Sequence, residues 1–323
     1  IPLFLGPGRG PDPQASGDER LVPSRGLLAL VGISALLLAM LRQTGPLWLA
    51  VGVVAFAFPV RGGNLVALLR DWVARCWAAA VVVAVATAVV WGKVMKTSDL
   101  GDYGANKWTY GQAVVEEANR WRGYLDQMVG VTSWLDTQMP APPYLIWQYA
   151  AAALVVVAVV FGRWVDRWRL AVLLLGAVAV PSVAQVVFVR ETGFVSQGRY
   201  MLPMLAGVLI FAAYVLEERG FDAERSRNLV RFLAVLLLPI HLFCLLFTMV
   251  RWQHGLPARI GLSSLDPFAG PWHPVVGSVV PLVASLVGTV LFGALAWILT
   301  GTGRPAATAG PAGPVDPADA SRA

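Results

Sequence analysis

The sequence predicts an all-α protein, a polytopic bundle of about eight transmembrane helices with an amphipathic helix at the outer membrane surface. Hydrophobic residues make up 57% of the chain and charged residues only 14%. The mean hydropathy of +0.64 lies above the range of soluble domains. Apolar runs bounded by proline, glycine and charged residues recur along the chain, as expected for successive membrane spans.

The predicted transmembrane domain covers residues 27–300. The first two apolar runs are only about fifteen residues each, which is short for independent spans. We interpret them as a tight helical hairpin, with a re-entrant pair as the alternative. The eight runs are residues 27–41, 46–60, 72–92, 144–161, 170–189, 200–216, 229–250 and 275–300.

The distribution of arginine residues predicts how the spans are oriented. Three arginine-rich loops alternate with loops that carry fewer cations, so the positive-inside rule places these three in the cytoplasm, together with both chain termini, in a multi-pass protein of the cell membrane. Residues 93–143, 190–199 and 251–274 are then on the outer face. This topology also accounts for the net charge of +6. We expect no nucleic-acid partner, because the cations form no basic patch interleaved with aromatic residues.

The two ends of the chain differ from the apolar body. Residues 1–26 are polar and begin at Ile1 without an initiator methionine, so we expect an N-terminal part of the protein to be missing. Residues 301–323 consist mostly of glycine, proline and alanine, which predicts a disordered cytoplasmic tail.

The outer segment 93–143 contains a predicted surface helix. Glu116 and Arg120 are spaced to form an ion pair across one helical turn. Such a helix either lies on the lipid headgroups or covers a substrate groove, and the sequence leaves both open. Its apolar residues recur at helical spacing on another face, and they are Val114, Ala118, Trp121, Leu125 and Met128.

Two carboxylates precede this helix. Asp99 and Asp102 are hard oxygen ligands that suit a divalent cation such as Mg²⁺ or Mn²⁺ bound together with a phosphate. The alternative is a pair of solvated loop acids, since no third ligand is evident. The chain has no phosphate-cradling glycine-rich loop and no nucleophile elbow, and no other cofactor is indicated.

The strongest candidate site is the polar sequence Gln197-Gly-Arg199-Tyr200 at the beginning of an apolar run. An arginine at the membrane surface can form forked hydrogen bonds with a phosphate, and Gln197 and Tyr200 can donate beside it. The alternative is an arginine that snorkels and a tyrosine that belongs to the interfacial aromatic belt.

Two further segments supply candidate substrate-binding residues. Trp134 and Asp136 lie after the surface helix, and Trp272 and His273 lie in the last outer segment. The two tryptophans can stack on a sugar ring, or they anchor the chain at the interface. Asp136 either contacts substrate or caps the turn that follows it.

Three motifs in this order resemble those of a known family. They are Gly-x-x-x-Trp-Leu-Asp-Thr-x-x-Pro at 130–140, Gln-Gly-Arg-Tyr-x-x-Pro at 197–203 and Trp-x-Pro at 272–274. With them the chain resembles a C-terminal part of bacterial membrane proteins of the domain of unknown function family 2142. That family is similar in layout to the C-superfamily membrane glycosyltransferases, which use polyprenyl-phosphate sugars on the outer side of the membrane.

The resemblance implies a function without assigning its catalytic residues. In the similar glycosyltransferases, the catalytic acid lies on the first outer loop, near the N-terminus, and this chain does not show that region. We therefore expect a glycosyltransferase-like protein, or its C-terminal part, that uses a polyprenyl-phosphate sugar in cell-envelope glycan assembly. The alternative is a non-catalytic membrane protein, either a lipid-linked-glycan transporter or an assembly partner. Few polar residues such as Gln185 interrupt the spans, which argues against a transport pathway.

Overall fold

The computed structural model describes residues 24–41, 44–58, 66, 68–95, 108–132, 135–221, 226–255, 265–268, 270 and 272–301. Within these ranges the chain forms the nine helices given below, residues 66 and 68–70 are also helical, and no strand is present apart from one isolated bridge between Thr132 and Thr137. The helices are α1 (Arg25–Leu41), α2 (Gly45–Ala57), α3 (Trp72–Val94), α4 (Tyr110–Val129), α5 (Ala141–Phe161), α6 (Trp164–Thr192), α7 (Gly198–Glu217), α8 (Arg227–His254) and α9 (Val279–Leu299).

The predicted polytopic helical bundle is confirmed. Helices α3 and α5 to α9 are each long and apolar enough to cross a membrane. The first two apolar runs form the shorter helices α1 and α2, of 17 and 13 residues, which contact each other. Helix α1 also packs on α3, and α2 packs on α6. The chain thus combines six candidate spans with two short apolar helices in its described part.

The chain divides into two compact units, residues 1–219 and residues 220–323. The core of the first unit forms between α2, α5, α6 and α7, where a fully buried alanine on each helix lets the backbones approach closely. These alanines are Ala55, Ala158, Ala177 and Ala212. Larger side chains such as Leu170, Val208 and Phe211 fill the space between them.

The second unit is built on the contact between α8 and α9. Two arginines in the first turns of α8 bind the C-terminal end of α9, where backbone carbonyls lack partners within the helix. Arg227 Nε donates to the Thr300 carbonyl at 2.8 Å, and Arg231 Nε donates to the Thr300 hydroxyl at 3.0 Å. The Arg231 guanidinium also lies 4.4 Å from the centre of the Trp297 ring. These contacts join the start of one helix to the end of the other.

Helix α4 is the predicted surface helix, and it packs against α5, α6 and α7. A capping box begins it, because the Thr109 hydroxyl accepts from the Gln112 amide and the Gln112 side chain accepts from the Thr109 amide. The predicted ion pair is confirmed, with Arg120 Nε 2.8 Å from the Glu116 carboxylate. Helix α4 therefore has the local structure that its sequence predicts.

The face of α4 that packs on the protein is different from its apolar stripe. Val114 and Leu125, which belong to that stripe, are 55% and 39% exposed, whereas Glu117 is only 2% exposed. Ala113 and Tyr124 are buried on the same face as Glu117. Polar partners on α6 make this burial possible, as described below. The apolar stripe thus lies beside the docked face and is only partly exposed, because Trp121 and Met128 are half-buried and Trp121 contacts α6.

Candidate functional site

The loop between α6 and α7, residues 193–197, is held in place by one buried side chain. The Gln185 oxygen accepts the backbone amides of Val195 at 3.0 Å and Ser196 at 2.7 Å, and its nitrogen donates to the Gly193 carbonyl at 2.6 Å. Gly193 has a φ of +66°, a conformation that glycine adopts without strain. These three backbone groups of the loop are not paired within a helix or strand. A single glutamine in a membrane span therefore supplies a hydrogen-bond partner for each of them.

Helix α7 begins in close contact with α4. The amide of Gly198 donates to the Gln127 side-chain oxygen at 2.7 Å. A Cβ atom at position 198 would overlap the Tyr124 carbonyl oxygen and would lie only 2.9 Å from the Gln127 Cβ. Glycine in the Gln-Gly-Arg-Tyr sequence is thus required by the approach of the two backbones.

A tight turn follows α4. Thr132 and Thr137 exchange backbone hydrogen bonds of 3.2 and 3.4 Å, and Leu135 within the turn has a φ of +63°. The Tyr144 hydroxyl, at the start of α5, accepts the Met139 amide at 2.8 Å. These bonds fix the turn beside the end of α4.

Helix α4, the 193–197 loop and this turn together enclose a cleft of about 290 Å³. Amide, hydroxyl and apolar side chains line it, and none of the lining residues is acidic. Because the cleft lies beside the beginning of the spanning helix α7, it is near the membrane surface. The lining residues are Asn119, Arg120, Gly123, Tyr124, Gln127, Leu135, Phe194, Val195, Ser196 and Gln197.

The cationic side chain in the cleft lining has an ion-pair partner beside the cleft. Arg120 is the one cationic residue of its lining, and Glu116 pairs with it. The Arg120 guanidinium also lies 4.3 Å from the centre of the Phe194 ring, which in turn meets Trp108 edge to face. The cleft therefore presents hydrogen-bonding groups without a strong net charge.

A buried carboxylate lies beside the cleft without lining it. The Tyr124 hydroxyl donates to Glu117 at 3.0 Å, and the Ser182 hydroxyl of α6 donates to it at 3.1 Å. Trp121 Nε1 donates to the Ser182 oxygen at 2.9 Å, which completes the network. Burial raises the pKa of the Glu117 carboxyl above its ordinary value of 4.5, against the opposing effects of these hydrogen bonds and of Arg120. Burial also raises the pKa of Tyr124.

Of the four residues of the Gln-Gly-Arg-Tyr sequence, one lines the cleft, and Gly198, Arg199 and Tyr200 are not among the lining residues. Gln197 lines it, and its side-chain oxygen is buried without a hydrogen-bond partner in the described part of the chain. Arg199 is exposed on the first turn of α7, 5.5 Å from the centre of the Tyr200 ring. No described carboxylate lies within 4 Å of its guanidinium. Arg190, in the last turn of α6, contacts the start of α4 by donating to the Trp108 carbonyl at 3.1 Å.

The remaining predicted residues have different locations. Asp136 belongs to the turn beside the cleft, and its carboxylate accepts from the Thr137 hydroxyl at 3.1 Å. Trp272 and His273 belong to the second unit, where Trp272 lies 5.9 Å from Trp252 between ring centres and His273 Nδ1 is 3.4 Å from the Ser278 hydroxyl. Trp134 lies outside the described residues.

The proposed metal ligands Asp99 and Asp102 also lie outside the described residues. Over the ranges that the structure describes, no group of three or more histidine, cysteine, aspartate or glutamate side chains is arranged to hold a metal ion.

Three residues that position the site were not among the candidates. The helical spacing of α4 did not single out Glu117, which is buried, and Gln185 was regarded only as a polar interruption of a span. Gly198 was part of a motif but had no role of its own. A lone glutamine in an apolar run suggests such a role, because a polar side chain in a membrane span is costly unless it is hydrogen-bonded. A glycine at the start of a helix suggests one too, because glycine loses more conformational entropy on folding than other residues.

The fold and the site define a multi-pass helical membrane protein with a polar cleft beside an amphipathic helix. The chain belongs to the domain of unknown function 2142 family, described as predicted membrane protein, which it matches over residues 15–208. This range includes α4, the turn at 132–137 and the Gln-Gly-Arg-Tyr sequence, and it ends before Trp272. No curated protein and no solved structure matches the chain significantly.

Proposed function

We propose that the protein binds a polyprenyl-phosphate-linked sugar at the α4 cleft, on the outer face of the cell membrane. It would act there as a glycosyltransferase-like protein, or as the C-terminal part of one, in cell-envelope glycan assembly. The observation that carries this proposal is the exposed Arg199 on the first turn of α7, two residues from Gln197 in the cleft. A cation at the beginning of a span lies at the depth of a lipid phosphate.

The geometry supports separate contacts for the two parts of such a ligand. Arg199 has no carboxylate partner in the described structure, so its guanidinium is available for a phosphate. A charge-assisted hydrogen bond of this kind contributes about 1.5–3 kcal/mol. The neighbouring cleft offers neutral amide and hydroxyl groups, which suit a polar group without charge. The polyprenyl chain would remain in the bilayer.

One observation favours the non-catalytic alternative for this chain. Glycosyl transfer needs a carboxylate base near the acceptor. Among the residues that line the cleft none is acidic, and Glu117 hydrogen-bonds to Ser182 on the other side of Tyr124. The described chain would then bind the lipid-linked sugar as a transporter or assembly partner, or another segment would supply the base.

Binding and transfer can be measured separately. Purified protein in lipid nanodiscs is mixed with a labelled polyprenyl-phosphate-linked hexose, and bound ligand and labelled glycolipid product are quantified. We expect Arg199→Ala to weaken binding by about tenfold or more, because a charge-assisted bond to the phosphate is lost. Arg122→Ala is the matched control, since Arg122 is an exposed arginine of α4 outside the cleft lining.

The outcomes separate the candidate functions. Binding without product supports the non-catalytic alternative, and binding with product supports the transferase. Equal affinity of the Arg199→Ala variant and the unchanged protein would remove Arg199 from the proposed site.

A further inference from the structure

We infer that the α4 cleft holds the sugar ring itself and that the ring is a single uncharged hexose. This inference rests on the proposed function and specifies which ligand group occupies the cleft. It is argued from the charge, the free hydrogen-bonding groups and the size of the cleft.

The charge of the lining selects against an acidic sugar. Arg120 is paired with Glu116, so its charge is already balanced. The Asn119 amide and the Ser196 hydroxyl of the lining are uncharged and can both donate and accept hydrogen bonds. They can pair with the hydroxyl groups of a neutral sugar, which makes a neutral sugar the better ligand.

Several hydrogen-bonding groups in the cleft have no partner in the described part of the protein. A buried polar atom without a partner is uncommon in native proteins, and the Gln197 oxygen is such an atom. Gln127 uses its oxygen to bind Gly198, which directs its nitrogen to act as a donor. The Asn119 amide and the Ser196 hydroxyl make no side-chain hydrogen bond among the described residues. Together they offer both donors and acceptors, as a ring of hydroxyl groups requires.

The size and the apolar part of the lining fit one ring. The cleft volume of about 290 Å³ is just below the range of about 300–1,000 Å³ for small-molecule sites, as expected for a ligand group of one ring. Leu135, Phe194 and Val195 supply apolar surface for the C–H groups of a pyranose ring. A longer glycan would have to extend out of the cleft.

The inference is tested with three probes in nanodiscs: bare polyprenyl phosphate, the same lipid linked to a neutral hexose, and the same lipid linked to a hexuronic acid. We expect the hexose-linked lipid to bind about tenfold more tightly than bare lipid. Asn119→Ala should reduce this advantage to about threefold or less without changing the affinity for bare lipid, and Gln197→Ala should reduce the advantage to a similar extent. Asn119 is exposed on α4, so its substitution tests the site without disturbing the core. Gln138→Ala is the control, an exposed glutamine outside the cleft lining.

Each outcome has a distinct meaning. Equal binding of bare and hexose-linked lipid, still dependent on Arg199, would overturn the sugar site in the cleft and leave the phosphate contact of Arg199, which carries the proposed function, in place. Tighter binding of the hexuronic acid would overturn the assignment of an uncharged ring. Failure of all three probes to bind would overturn the proposed function together with this inference.

Discussion

The Gln185 side-chain oxygen accepts the backbone amide hydrogen of Ser196 at 2.7 Å, across eleven residues of chain. The same side chain also binds Gly193 and Val195, so a single glutamine contacts three backbone groups of one loop. Val195, Ser196 and Gln197 of this loop line the cleft. Gln185, which lies inside the α6 span, therefore helps to determine the shape of the cleft. Gln185 is a positioning residue that has no contact with the cleft itself.

Substitution of Gln185 tests this relationship. Gln185→Leu removes the acceptor of the Val195 and Ser196 amides, whereas the Gly193 carbonyl keeps the Thr192 hydroxyl as a donor. We expect a loss of about 1–3 kcal/mol of stability and faster hydrogen exchange at Val195 and Ser196. Gln185→Glu keeps an acceptor for Val195 and Ser196, and its protonated carboxyl, the form that burial favours, can donate to Gly193, so its effect should be smaller. Mass spectrometry after hydrogen exchange measures both variants. Unchanged exchange in Gln185→Leu would show that the loop is held by other contacts.

The close approach of α4 and α7 predicts a difference between two glycines of the same helix. In Gly198→Ala the new methyl group meets Tyr124 and Gln127, so α4 must move, at a cost of about 1–3 kcal/mol. At Gly207 nothing lies within 4 Å of the corresponding position, and Gly207→Ala should be neutral or stabilising by up to about 1 kcal/mol. Thermal unfolding in detergent compares the two variants. Equal unfolding temperatures would mean that α4 adapts without cost.

The buried Glu117 predicts a pH dependence of stability. Burial raises the pKa of its carboxyl in the folded protein, whereas the unfolded chain titrates near 4.5. Between these two values folding takes up a proton, so stability falls as the pH rises from 4.5 through the folded pKa, and it stays lower above it. Glu117→Gln resembles the protonated carboxyl. We therefore expect this variant to be more stable than the unchanged protein at neutral pH and to lose this part of the pH dependence.

Unfolding temperatures measured across this pH range check the Glu117 prediction. Glu116→Gln is the matched control on the same helix, since Glu116 pairs with Arg120 at a partly exposed position. It should cost less than about 1 kcal/mol and keep the pH dependence. A Glu117→Gln variant with the same pH profile as the unchanged protein would contradict the argument.

In the second unit, two threonines on α9 and at its end provide another matched comparison. The Thr300 hydroxyl accepts from Arg231 at 3.0 Å, whereas the Thr289 hydroxyl donates to the Ser285 carbonyl within its own helix. We expect Thr300→Val to reduce the stability of the α8–α9 pair by about 1 kcal/mol and Thr289→Val to have little effect. Hydrogen exchange at the end of α9 measures the difference. Equal protection in both variants would argue against a role for the Arg231 contact.

The sequence predicted the features that depend on nearby residues. The apolar runs located the spanning helices, and the spacing of Glu116 and Arg120 predicted their ion pair. The Gln-Gly-Arg-Tyr sequence was expected at the beginning of a span, and α7 begins at Gly198. The periodicity of α4 identified an amphipathic helix but could not show which of its faces packs against the protein.

The sequence alone determined a polytopic helical membrane protein, because the length and polarity of each apolar run are fixed by the bilayer it must cross. Only the tertiary structure decided that Glu117 is buried, that Gly198 meets Tyr124, and that a polar cleft forms beside Gln197. These contacts join residues far apart in the chain, such as Trp121 and Ser182, which are 61 residues apart. The spacing of residues along one helix carries no information about contacts with distant segments. A buried carboxylate is stable only where the tertiary structure supplies hydrogen-bond donors to it.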